Sequence, residues 1–132
     1  MSLSELLPIK DVELNGLIDQ LDQESQAILK KIKLGFDFKK RKEIITQIRS
    51  CFSIIRIINS RVQNVVSRLR ADLADHLEKE AEDWKRQSWH GASPEEMEVS
   101  RELNTLINIQ SELIDIRESI NDSLGKLGIE IL

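Results

Sequence analysis

His76 is the residue in this 132-residue chain best placed to do chemistry. Asp72 precedes it by four residues and Glu80 follows by four. On a helix those three side chains share a face, a spacing that suits a two- or three-ligand metal site. The same spacing also describes a surface histidine among acids. His90, between Trp89 and Gly91, reads as a loop residue. Cys51 falls in an apolar stripe with no histidine nearby in sequence, as expected of a buried core thiol. There is no Gly-rich phosphate loop, no Cys-x-x-Cys pair and no Ser/His/Asp spacing of a hydrolase. The expectation is a chain with no catalytic residue, no metal, no cofactor and no small-molecule substrate.

Two other stretches point to binding. "DWKRQSWHG" places Trp84 and Trp89 beside Lys85 and Arg86. Tryptophan is enriched at binding hot spots, so these four are candidate partner contacts; the alternative is that the two rings plug the end of a bundle. "KKRK" puts Lys39, Lys40, Arg41 and Lys42 at the start of a helix, where cations oppose the macrodipole. With Arg49 and Arg56 they form a candidate basic patch. It would face acidic neighbours, a nucleic acid, a nuclear import receptor or an anionic membrane, or be simply solvated.

The charge is segregated along the chain. Residues 30–70 hold twelve Lys or Arg against two acids, leaving seven basic and 21 acidic residues elsewhere. Either the flanking helices fold back to neutralise the middle one, or the middle one presents a basic surface. The overall net charge of −4 favours the first reading. High charge with few aromatics and no Tyr is the composition of long helices. One cysteine excludes an internal disulfide and fits a reducing compartment. With no signal-peptide pattern and no transmembrane segment, an intracellular protein, cytoplasmic or nuclear, is expected.

The elements that must position these residues follow from sparse punctuation. Nothing between Gly35 and Gly91 breaks a helix. Three helices are predicted, over about 8–34, 38–89 and 94–124. Gly16 weakens the first, so a start nearer Val12 or a kink is an alternative, and Gly35 is expected to be its left-handed cap. The second carries two apolar stripes. One is Ile45, Ile48, Phe52, Ile55, Asn59, Val62, Val66, Leu69 and Leu73; the other is Ile44, Cys51, Ile54, Ile58 and Val65. Two stripes require two neighbours. Beyond Leu73 the pattern narrows to Leu77, Ala81 and Trp84, as for cover on one side only. "ASPEEMEVSREL" opens the third helix: Ser93 as N-cap, Pro94 in the first turn and Glu96 closing a capping box. Its seam includes Gln110 and Arg117, polar residues that specify pairing, and Ile107, Ile109, Ile114 and Ile116 broaden it. The last residues, 125–132, form an apolar tail that either docks or leads into a further segment. Short links make neighbours antiparallel. The predicted fold is all-α, a single domain: an elongated antiparallel three-helix bundle with a long central helix and coiled-coil character.

"NSRVQNVVSRL…HLEKE" followed by "SPEEMEVSRELNTLI" resembles the helical domain of GINS replication-complex subunits over roughly residues 44–107. In that family a long arginine-bearing central helix precedes a capped helix and a small β domain. The resemblance implies a structural subunit with obligate heteromeric partners, and makes "GIEIL" the entry to a further domain. It carries no catalytic residue over. The chain departs from the family's aromatic core, having no Tyr and no Lys in "IINSRVQNVV". Arg70 and His76 also match the loose Arg…His spacing of HEPN-type ribonucleases, but Ala71 stands where a polar residue usually follows the Arg. The function expected from the residues is a non-enzymatic helical scaffold or adaptor. It works through another protein in a hetero-complex or through self-association. A replication-complex subunit and binding of nucleic acid or anionic membrane are the alternatives.

Overall fold

The structure is a computed structural model and describes residues 3–6, 9, 11–35, 38–87, 91 and 93–128. A 3-10 turn, Leu3–Leu6, is followed by α1 (Val12–Leu34), α2 (Phe38–Lys85) and α3 (Pro94–Gly125), with no strand among the described residues. The fold is an all-α three-helix bundle with a long central helix, as the two-stripe pattern predicts. At 1.5 Å per residue, α1, α2 and α3 span about 35, 72 and 48 Å.

α1 begins at Val12 because Asp11 caps it, accepting a hydrogen bond from the Leu14 N–H at 3.2 Å. Of the two expected starts, the one nearer Val12 is the one observed; Pro8 itself lies outside the described residues. The entry segment is pinned by Asn15, whose side chain accepts from the Ile9 N–H (2.9 Å) and donates to the Ile9 carbonyl (2.8 Å). Gly35 ends α1 at φ 82°, ψ 159°, so its positive φ is paired with an extended ψ rather than the expected left-handed helical one. That region is essentially restricted to glycine. The buried face of α1 is Leu14, Ile18, Leu21, Ser25, Ile28 and Ile32. Ile18 takes the position between Leu14 and Leu21, while Leu17 is half-buried.

α2 packs against both other helices, and α1 also touches α3. Three side-chain contacts set the antiparallel registers. Arg61 reaches Asp11 on α1, Gln63 accepts from Gln110 on α3 at 2.9 Å, and the Arg117 guanidinium lies over the Phe52 ring at 5.2 Å. Gln110 and Arg117 both find their partners on α2 of the same chain. Asn59 is exposed and takes no part in the seam. These registers bring Leu14, Ile58 and Leu113 to one level, all three buried. Of the residues expected to broaden the α3 seam, Ile109 is buried, whereas Ile107 and Ile114 are exposed.

Two helix ends differ from expectation. α2 stops at Lys85, not Trp89. Gln87 closes it at φ 59°, with its N–H bonded to the Trp84 carbonyl. Glycine normally marks such a stop, so a glutamine in the left-handed region gives no sequence signal. α3 includes Gly125 and is followed by a turn to Gly128 at φ 72°, with Leu127 exposed. Residues 129–132 lie outside the described residues. The 3-10 turn was not foreseen; Leu3 from it is buried against α1 and α3.

Candidate functional site

The site is defined by where α1 begins. Its first residue lies level with Arg61, because Asp11 accepts from Arg61 Nε at 2.7 Å and from Nη2 at 3.0 Å. Arg61 Nη1 also reaches Glu13. This fork–fork pair holds Asp11 below its ordinary 3.8, chiefly through the hydrogen bonds from Arg61, helped by the Leu14 N–H and opposed by partial burial. Arg61 is thus one arginine of the basic segment neutralised by a flanking helix. Beyond it α2 continues for 24 residues with α3 alongside, while the 3-10 turn packs on α1 and α3.

This two-helix end exposes apolar side chains. Leu77 is 51%, Trp84 69% and Met97 52% exposed. Trp84 lies in the last turn of α2, with Lys85 and Arg86 exposed beside it. Trp89 and His90 lie outside the described residues. Trp84 therefore does not plug the bundle. The surroundings are acidic: residues 71–102 carry ten Asp or Glu against four Lys or Arg. Ile107 and Ile114 continue the apolar exposure along α3.

At the root of this end lies a carboxylate pair the sequence did not reveal. Ser93 caps α3, accepting from the Glu96 N–H at 3.1 Å, as the capping box predicts. Glu96 is only 8% exposed, and its carboxyl lies close to that of Glu80 on α2. One Glu80 oxygen, Oε1, is buried with no hydrogen-bond partner. The bond to Glu80, burial and the Glu80 charge together raise Glu96 above its ordinary 4.5, against smaller opposing effects of His76 and the Ser93 N–H. The predicted His76–Asp72–Glu80 constellation is therefore redrawn. His76 is half-buried near Glu96, Asp72 is exposed, and no cluster among the described residues has three metal-ligating side chains in place.

The pair sets a pH dependence. A carboxyl that holds its proton more tightly folded than unfolded stabilises the fold most at low pH. That contribution is lost as pH rises from 4.5 through the raised folded value. Asp11 acts oppositely, contributing above 3.8 and losing its effect as pH falls through its lowered value. Glu96→Gln keeps the capping box and removes the like-charge contact. We expect it to raise the melting temperature at neutral pH and abolish the stability loss above 4.5, while leaving the acid-side loss intact. Identical melting-versus-pH curves for the two proteins would contradict the pairing.

Cys51 is buried, as expected, and burial, aided by the Glu24 charge, pushes its thiol up to about 11. The thiolate needed for reaction is then scarce. Iodoacetamide should leave Cys51 unmodified in the native protein and label it once denaturant unfolds the bundle; rapid native labelling would show the thiol is accessible.

The basic patch divides. Lys39, Lys40, Arg41 and Lys42 are exposed at the opposite end of the rod from Trp84, whereas Arg49 and Arg56 lie exposed along the side of α2. Two shallow grooves run between α1 and α2. One, of about 210 Å³, is lined by Glu24, Ile28, Lys31 and Gln47; the other, of about 470 Å³, by Leu17, Ile57, Arg61 and Asn64. No helix among the described residues is long and apolar enough to cross a membrane. Compared with protein-family models, curated proteins and solved structures, the chain matches none.

Proposed function

We propose that this chain is a non-enzymatic intracellular scaffold or adaptor whose open α2–α3 end takes a helix from another protein and so completes the bundle. The observation that carries this reading is the joint exposure of Leu77, Trp84 and Met97 where α1 no longer covers α2. A partner helix laid there would bury an apolar stripe much as α1 does lower down. The excess of acids over residues 71–102 favours a partner that is basic as well as amphipathic. Lys85 and Arg86, at the rim, would set orientation rather than affinity.

A subunit of a GINS-like replication complex, cytoplasmic or nuclear, is a more specific version of the same reading. It is favoured by the long arginine-bearing α2 followed by a helix that starts at Ser93–Pro94. Purification from the native source at low salt, with the mass and identity of what accompanies the chain, tests both. A stoichiometric hetero-complex is expected, and replication factors in it would support the specific version. A self-associated chain alone would overturn both.

A further inference from the structure

We propose that the end of the rod opposite Trp84 is an anionic-lipid docking site, which seats the molecule end-on against a membrane surface. Seven cations gather at this end. Lys30, Lys31 and Lys33 lie in the closing turns of α1, and Lys39, Lys40, Arg41 and Lys42 in the opening turns of α2, all exposed. Leu34, the last residue of α1, stands among them 77% exposed.

Helix stability explains only part of this arrangement. The lysines of α1 are where a helix C-terminus favours positive charge. The four on α2 are where a helix N-terminus disfavours it, and the adjoining end of α1, which would offset them, already carries its own lysines. Asp37 and Glu43 are the two acids that the sequence sets beside these cations. Glu43 follows directly on α2 and is exposed. On α3, the register set by Arg117 over Phe52 places Asp122 about level with residue 47 of α2 and Glu118 with residue 51, behind Lys42, with Lys126 nearer the tip. Lys31 donates to Gln47 at 3.0 Å, a neutral partner.

The net charge of −4 does not oppose docking. The acidic stretch begins at residue 71, so along the rod it lies more than about 40 Å from Lys42. Screening at physiological salt extends only about 8 Å. An anionic surface therefore meets the basic tip alone, and the segregated charge orients the rod. The exposed leucine distinguishes this surface from a nucleic-acid site. Phosphodiester contacts along a groove would use a cationic stripe, whereas a compact cap of cations around an apolar side chain matches charged headgroups over acyl chain.

Each Lys or Arg near such a surface strengthens binding roughly fivefold. The full chain should sediment with vesicles of phosphatidylcholine and phosphatidylserine but not with phosphatidylcholine alone, and the binding should weaken steeply with salt. Reversing Lys39, Lys40, Arg41 and Lys42 to glutamate should abolish it. Acids at a helix N-terminus are favourable, so this variant should melt no lower than the wild type, which keeps loss of binding separate from loss of fold. With Cys51 buried, a Leu34→Cys variant takes a single polarity-sensitive label, whose emission should shift to the blue on those vesicles, while a label at Glu82→Cys should not respond. Equal binding to both kinds of vesicle, retained binding after charge reversal, or tighter binding to duplex DNA of random sequence would overturn the proposal.

Discussion

Ile58→Ala should destabilise the protein by about 2–5 kcal/mol, the range for truncating a large buried aliphatic side chain. Ile58 is fully buried and lies level with Leu14 of α1 and Leu113 of α3, so the cavity would open among all three helices. The bundle can close around it only by shifting helices whose registers are fixed elsewhere, at Arg61–Asp11 and at Gln63–Gln110. Little relaxation is available, which places the cost toward the upper part of the range. Leu77→Ala is the matched control. It removes an aliphatic side chain from the same helix where α1 no longer covers it, and should change stability by less than about 0.5 kcal/mol. Urea unfolding followed by circular dichroism measures both. Similar costs at the two positions would mean that the far end of α2 is as well covered as its middle.

Trp84→Ala should weaken the proposed hetero-complex by about 2 kcal/mol or more, roughly a thirtyfold rise in Kd, without lowering the melting temperature of the free chain. The two halves of this expectation come from one fact: the indole is mostly exposed, so the fold gains little from it and a partner can gain much. Fluorescence anisotropy of the labelled partner against wild-type and variant chain gives the ratio. An unchanged Kd would remove Trp84 from the docking surface. A large drop in melting temperature would instead make it part of the bundle.

The helices were legible because their signals are local and repeated. Ser93, Pro94 and Glu96 announce the start of α3, and two interleaved stripes on α2 require two neighbours. What stayed hidden depends on contacts between elements. Asp11 is an unremarkable acid until Arg61, fifty residues away, is seen to hold it. Nothing in a capping-box glutamate says that it will turn toward Glu80 on another helix. Helix ends without glycine are equally silent, which is why α2 reads four residues too long. The exposed stripe at Leu77 and Trp84 was readable as a narrowing of the apolar pattern. That it is a two-helix end follows only once the register shows where α1 begins.

In the proposed function, another protein's helix docks on the α2–α3 end. A photo-reactive amino acid placed at position 77, with a second chain carrying it at exposed position 23 on α1, tests this most directly in cells of the native source. One dominant heterologous cross-link is expected from position 77, lost when Trp84→Ala is added, and none of that product from position 23. Absence of a product at position 77, or the same product from both positions, would contradict it.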